Sequence, residues 1–111
     1  MTIQADLLRG YTDTIIMGQL ASGDGYGYGI SRAVAEQSGG MVVLKEATLY
    51  TAFRRMEENG YIRSYWGDEA TGARRRYYSL TEPGRVRLVE EKNAWAQTRR
   101  VMDTLLGSNR E

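Results

Sequence analysis

The stretch from Thr81 to Gly107 constrains the fold of this chain more than any other part of the sequence. Leu88, Trp95 and Met102 recur at intervals of seven residues, which is the spacing of an apolar stripe along a helix. A helix of about 25 residues in a chain of 111 residues has more apolar length than its own body can cover. The pattern therefore predicts a long C-terminal helix that dimerises. Its predicted interface residues are Leu88, Trp95, Met102, Leu105 and Leu106.

Local signals mark both ends of this long helix. Thr81 can cap its N-terminus, and Pro83 is tolerated in the first turn because its missing N–H is not needed there. Gly107 is the predicted stop, so the helix is expected to run to Leu106.

Three shorter helices and a hairpin are predicted upstream. Apolar residues at helical spacing predict helices over about Asp6–Leu20, Gly27–Gln37 and Lys45–Asn59. The period then changes, and two short aromatic-rich runs joined by a turn-rich segment predict a β-hairpin. Those runs are 62–66 and 76–80.

This order of elements predicts a mainly α (α+β) fold, the winged helix-turn-helix. It consists of three helices plus a two-stranded β wing, followed by the long C-terminal dimerisation helix. Residues 1–80 would form the winged-helix domain, and residues 81–111 the dimerisation helix with a short tail. In this fold the third helix enters the major groove of DNA and the wing lies beside it.

Composition excludes several kinds of chemistry. The chain has neither cysteine nor histidine, so thiol nucleophiles, thiolate metal sites and imidazole catalysis are not expected. The alternate glycines from Gly23 to Gly29 resemble a phosphate loop, but no buried strand precedes them and the lysine is missing. We read them as a turn before the second helix. No enzyme activity, metal or cofactor is expected. No membrane span or signal peptide is recognisable, so we expect a cytoplasmic protein.

The third helix carries the candidate residues for reading DNA sequence. Thr48, Thr51, Arg54 and Arg55 fall on the face opposite its apolar stripe. Hydroxyls suit phosphates or thymine methyl groups, and guanidiniums suit phosphates or guanine edges. The net charge is only +1, and a solvated helix face remains the alternative.

The wing carries three consecutive arginines. Alternation along a strand predicts Arg74 and Arg76 on one face and Arg75 on the other. Ion pairing with Asp68 and Glu69 across the turn is the alternative, but two carboxylates leave one of the three arginines without an ion pair. Contact with DNA phosphates uses all three, and the three preceding helices favour it.

Trp95 allows two interpretations that are compatible with each other. A tryptophan in an apolar stripe packs in a core or a dimer seam. Two indoles paired across a two-fold axis can also wall a cavity that stacks a flat aromatic ligand.

Several motifs together resemble the PadR family of bacterial transcriptional regulators, and the resemblance spans nearly the whole chain. It is closest to the short members with a single C-terminal dimerisation helix. The motifs are YGY (26–28), KEATLY (45–50), EENGYI (57–62), SYWG (64–67), RRRYY (74–78) and LTEPGR (80–85).

The resemblance implies a homodimeric repressor that binds a palindromic operator in double-stranded DNA. Trp95 matches the position where multidrug-sensing members place a tryptophan at the dimer interface, which implies a small aromatic effector. The residues that would contact DNA by this resemblance are Lys45, Thr48, Tyr50, Thr51, Arg54, Arg74, Arg75 and Arg76. The alternative function is a winged-helix module for protein interaction or drug sequestration that has no specific operator.

Overall fold

A computed structural model of the chain describes residues 8–67 and 74–107. These residues form four helices and three short strands. In chain order the elements are α1 (Thr12–Leu20), β1 (Gly25–Tyr26), α2 (Gly27–Gln37), α3 (Glu46–Glu58), β2 (Ile62–Trp66), β3 (Arg76–Leu80) and α4 (Glu82–Leu106). The predicted winged helix with a long C-terminal helix is confirmed.

The wing is a sheet of three strands rather than the predicted hairpin of two. Strands β2 and β3 pair antiparallel from Ile62 opposite Leu80 to Trp66 opposite Arg76, as the sequence predicts. Strand β1 pairs with the other edge of β3, in the order β1-β3-β2. The turn expected before the second helix therefore ends in a strand. Two residues are too short for a periodic pattern, and their partners are distant in sequence.

Helix α1 begins later than its periodicity predicts. The prediction started it at Asp6, which lies outside the described residues, whereas the helix begins at Thr12 after a turn over residues 9–11. The Tyr11 N–H donates to the Leu8 carbonyl at 2.8 Å within this turn. Gly10 lies there too, and glycine costs a helix about 1 kcal/mol relative to alanine.

Helices α2 and α3 have the predicted extents, and α3 ends as expected at a left-handed glycine, Gly60, with φ of 80°. The buried face of α3 consists of Leu49, Ala52, Phe53 and Met56. Phe53 stacks on Tyr78 of β3 with ring centroids 3.8 Å apart. This packing holds α3 against the sheet and leaves its opposite face exposed. The core is completed by Ile16, Met17, Leu20, Ile30, Val34, Val42, Leu44, Ile62, Leu80 and Leu88.

Helix α4 begins in the core and then leaves the body of the protein. Its N-terminus is capped as predicted, because the Thr81 hydroxyl accepts the Gly84 N–H at 3.0 Å, and Gly107 ends it at φ 72°. Every residue from Lys92 to Met102 is exposed. None of the helices in the described ranges is long and apolar enough to cross a bilayer.

Leu88 requires a correction, because we predicted it in the dimer seam. Its side chain is 5% exposed and belongs to the core of its own chain. The stripe of seven-residue spacing is continuous, but its first part packs against α1 of the same chain. Only the part beyond that contact is available to a second copy.

Candidate nucleic-acid interface

The exposed face of α3 presents four of the residues predicted to contact DNA. Lys45 is the N-cap of the helix, and its backbone is extended there. Thr48, Thr51 and Arg54 follow on the exposed face. This face lies opposite the buried stripe because residues three and four apart share one side of a helix.

Tyr50 lies apart from these residues, on the side of α3 that faces the wing. Its ring makes an edge contact with Phe53, with centroids 5.4 Å apart. A Cβ atom added at Gly27 would lie 2.4 Å from the Tyr50 hydroxyl, so the hydroxyl rests against the start of α2. Glycine at 27 is therefore what lets Tyr50 approach α2 this closely.

Arg55 is engaged by a carboxylate, although its helical position suggested that it faces DNA. Its Nε donates to Asp13 Oδ2 at 3.1 Å, and its Nη2 donates to the other oxygen of the same carboxylate. These hydrogen bonds raise the pKa of Arg55 and join α3 to α1. Sequence reasoning missed this pair because its members are 42 positions apart.

The three wing arginines alternate between faces as predicted. The guanidinium carbons of Arg74 and Arg76 lie 5.1 Å and 5.3 Å from the centroid of the Trp66 ring. Arg75 lies over Tyr26 instead, at 4.7 Å. Attraction between a guanidinium and the face of an aromatic ring restrains the arginine, and the N–H donors of a guanidinium suit bidentate contact with phosphate. The alternative partners Asp68 and Glu69 lie outside the described residues.

A short hydrogen-bond chain connects the wing to the end of α3. Arg76 Nη2 donates to the Ser64 hydroxyl at 2.8 Å, and that hydroxyl donates to Glu57 Oε2 at 2.6 Å. Neither Ser64 nor Glu57 was a predicted site residue. The chain ties the position of an arginine on the wing to the helix predicted to read DNA.

Tyrosines fasten the wing to the strand that precedes α2. The Tyr65 hydroxyl donates to Asp24 at 2.5 Å, which raises the pKa of Tyr65. Tyr65 also stacks on Tyr77, with centroids 5.8 Å apart, and Tyr77 meets Tyr26 edge-on at 5.6 Å. Tyr65, Tyr77 and Tyr26 therefore serve as packing residues of the wing.

The C-terminal helix presents an apolar surface that its own chain leaves uncovered. Trp95 is 47% exposed, and its ring makes an edge contact with Tyr11 at 5.3 Å. Met102, Leu105 and Leu106 are also exposed. Of the five predicted interface residues, these four are therefore accessible to a partner, and Leu88 is not.

These features define a winged-helix protein with an exposed recognition helix and an arginine-bearing wing. No group of three side chains that could hold a metal occurs within 8–67 and 74–107. Residues 16–90 match the transcriptional regulator PadR-like family. The chain belongs to this family, whose members are transcriptional regulators that bind DNA and are not enzymes.

Two solved structures of transcriptional regulators agree with this assignment. A transcriptional regulator from Clostridium thermocellum is 43% identical with a TM-score of 0.83, over 90% of this chain and 97% of that one. A PadR family transcription regulator from Clostridium difficile is 39% identical with a TM-score of 0.78, over 87% of this chain and 99% of that one. An uncharacterized protein from Lysinibacillus sphaericus is 35% identical over 94% of this chain and 95% of its own length.

Proposed function

We propose that the protein is a homodimeric repressor that binds a palindromic operator. The link from Glu57 through Ser64 to Arg76 carries the DNA-binding part of this proposal, and the exposed apolar residues of α4 carry the dimer. Because of this link, the exposed face of α3 and the wing arginines meet DNA as one unit with a defined spacing. A wing without such a link would lose more conformational entropy when it binds DNA, which would weaken the affinity.

The two parts of this surface have different tasks. Thr48, Thr51 and Arg54 are exposed on α3, the helix that enters the major groove in this fold, and in this proposal they contact base edges and choose the sequence. Arg74, Arg75 and Arg76 contact phosphates and supply affinity that does not depend on sequence. Lys45, at the N-terminus of α3, contacts phosphate as well. Tyr50 supports the wing side of the helix through its contact with α2.

The dimer forms through the part of α4 that leaves the body of the protein. The exposed apolar residues there form a surface of the kind that marks a protein interface, and they are Trp95, Met102, Leu105 and Leu106. A second copy presents the same stripe, so a two-fold axis covers both. The recognition helices of such a dimer enter successive major grooves about 34 Å apart.

A small aromatic effector beside Trp95 remains a prediction. The indole is half exposed and lies against Tyr11 of α1, so a planar ligand there would contact two helices at once. Such a ligand lowers operator affinity only if it binds more tightly to a dimer whose recognition helices have a different spacing. The size of the effect is set by that difference in affinity.

Fluorescence anisotropy with short duplexes tests the repressor. We expect sub-micromolar, salt-sensitive binding to a duplex from the protein's own upstream region, and much weaker binding to random duplexes. Equal affinity for both at physiological salt would contradict a specific operator and favour the protein-interaction or drug-sequestering alternative.

Two variants distinguish phosphate contacts from base contacts in the same assay. Replacing Arg74, Arg75 and Arg76 together by Ala should weaken all duplexes alike, and should make the salt slope shallower by about 0.9 per lost phosphate contact. Arg54→Ala should cost about 1–3 kcal/mol on the preferred duplex and little on random ones. Arg100→Ala, an exposed arginine on α4, is the matched control and should change neither.

A further inference from the structure

Helix α4 is attached to the rest of its chain along one side of its first half. Leu88, Glu91 and Trp95 share that side, because residues three, four and seven positions apart lie on one face of a helix. Leu88 is buried in the core, and the Trp95 ring contacts Tyr11 of α1. Between these two apolar contacts, the Thr14 hydroxyl of α1 donates to Glu91 Oε1 at 3.1 Å. A polar contact therefore joins α4 to α1 at this point.

The carboxylate of Glu91 has a second partner, which connects it to the end of α3. Its Oε2 lies 2.9 Å from Arg87 Nη2, and the guanidinium carbon of Arg87 lies 5.8 Å from the centroid of the Tyr61 ring. Tyr61 follows the turn after α3, and its N–H donates to the Met56 carbonyl of that helix at 2.9 Å. We call Thr14, Arg87 and Glu91 the α4 joint. The joint links α4 both to α1 and, through Tyr61, to the end of α3.

The α4 joint restrains the direction of α4 more closely than the apolar contacts beside it do. Hydrogen bonds weaken steeply when their angle changes, whereas the hydrophobic effect is non-directional. The side chain of Glu91 is 27% exposed and that of the neighbouring Glu90 is 62% exposed, so water competes less for the carboxylate of Glu91. Both oxygens of this carboxylate have a partner, which fixes its orientation. A tilt of α4 would therefore disturb both contacts.

A small change of angle at the α4 joint becomes a large displacement at the far end of the helix. An α-helix rises about 1.5 Å per residue, so Leu106 lies about 22 Å beyond Glu91 along the axis. A tilt of about 10° at the joint moves that end by about 4 Å, which is about the rise of one base pair of DNA. Because this end carries the exposed apolar residues proposed to pair, the angle at the joint sets how far apart the two recognition helices lie.

We propose that Glu91 is a positioning residue, which fixes the angle between α4 and the body of the protein and thereby the half-site spacing that the dimer accepts. Thr14 and Arg87 hold its carboxylate in place. Glu91 acts through α4 and does not itself contact DNA. The effect on DNA rests on the proposed function as a dimeric repressor, whereas the effect on the shape of the dimer can be measured without DNA.

A distance measurement within the dimer tests the α4 joint directly. The chain contains no cysteine, so Glu58→Cys at the exposed end of α3 places one spin label on each protomer. Double electron–electron resonance then measures the distance between the two labels. We expect a single narrow distribution of distances for this protein. Adding Glu91→Ala should broaden the distribution or shift its maximum by at least about 4 Å, because the angle of α4 is no longer held.

Three further variants in the same labelled protein separate the contact from its charge. Glu90→Ala removes the same charge from the adjacent position and should leave the distribution narrow. Thr14→Val removes the hydroxyl with little change of shape and should broaden the distribution, whereas Thr14→Ser keeps the hydroxyl and the narrow distribution. An unchanged distribution in both Glu91→Ala and Thr14→Val would overturn the proposal, and so would an equal effect of Glu90→Ala. Circular dichroism controls for folding, and Thr14→Val keeps the test decisive if Glu91→Ala does not fold.

Duplexes with altered half-site spacing test the effect on DNA. One to three base pairs are inserted into, or removed from, the centre of a selected inverted repeat. The wild-type protein should lose affinity at least about tenfold when the spacing changes by two base pairs, because the second recognition helix then misses its half-site. Glu91→Ala should bind the selected spacing at least about tenfold more weakly and should vary less than about threefold among the spacings. Its affinity for a duplex with one half-site should equal that of the wild type.

The two measurements distinguish failure of this inference from failure of the proposed function. A Glu91→Ala protein with the same spacing preference as the wild type would overturn the role of Glu91 on DNA. A wild-type protein with no preferred spacing would contradict the dimeric repressor itself, and the distances between the spin labels would then decide alone whether Glu91 positions α4.

Discussion

Gly84 lies where the first turn of α4 passes directly against the chain at Tyr61. A Cβ atom at this position would be 2.1 Å from the Tyr61 carbonyl oxygen and 2.7 Å from Leu80 Cδ1. The Tyr61 oxygen also accepts the Thr81 N–H at 3.0 Å, so it is held in place. The absence of a side chain at Gly84 therefore sets how closely α4 approaches the wing and the core.

Gly84→Ala should destabilise the protein by about 1–3 kcal/mol or more, because the clash is with fixed backbone rather than with a flexible side chain. Urea unfolding measures the change. Gly18→Ala in α1 is the matched control: its Cβ would meet nothing within 4 Å, so helix propensity should stabilise it by up to about 1 kcal/mol. A Gly84→Ala protein as stable as the wild type would contradict the close approach.

At the scale of single residues, the sequence predicted which side chains are exposed better than it predicted which side chains contact one another. The helical period places Thr48, Thr51 and Arg54 opposite the buried stripe, and they are exposed. The same period gave no indication that Arg55 would be held by Asp13, because that contact depends on how two helices pack. The alternation of the wing arginines was predictable because strand geometry is local.

At the scale of elements, helices and strands that depend on local signals were predicted, whereas those that depend on distant contacts were not. The hairpin and the ends of α3 and α4 follow from turn, cap and period signals within a few residues. Strand β1 exists only because β3, about fifty positions later, offers its second edge. Leu88 continues the stripe of α4 but is covered by its own chain, which the spacing alone does not reveal.

The exposed part of α4 provides a test at this scale. Replacing Met102 and Leu106 together by Glu should raise the dimer dissociation constant at least about hundredfold, because each buried apolar side chain contributes about 1.5–3 kcal/mol. Analytical ultracentrifugation measures it. The two residues are four apart and share one face of the helix.

Val89→Glu is the control for this variant. Val89 is 57% exposed on α4 but lies outside the predicted stripe, so the protein should remain a dimer. Equal dissociation by both variants would show that the helix uses another face.

At the scale of the whole molecule, the proposed repressor depends on the distance between two recognition helices, which exists only in a dimer. One chain offers one α3 and one wing, joined by the hydrogen bond that the Ser64 hydroxyl of β2 donates to Glu57 of α3. Operator specificity arises only when the exposed end of α4 pairs two such units so that both recognition helices meet one face of the duplex. In the proposed repressor the wing provides affinity through phosphate contacts, α3 chooses the sequence, and α4 sets the spacing of the two recognition helices.

The spacing of half-sites tests this claim most directly. A binding site is first selected from random duplexes, and it should be an inverted repeat with half-sites centred about one helical turn apart. Five base pairs are then inserted between the half-sites, which turns one of them to the opposite side of the helix. Anisotropy should show that affinity falls to that of a single half-site. Unchanged affinity after the insertion would contradict a dimer that reads two grooves on one face of DNA.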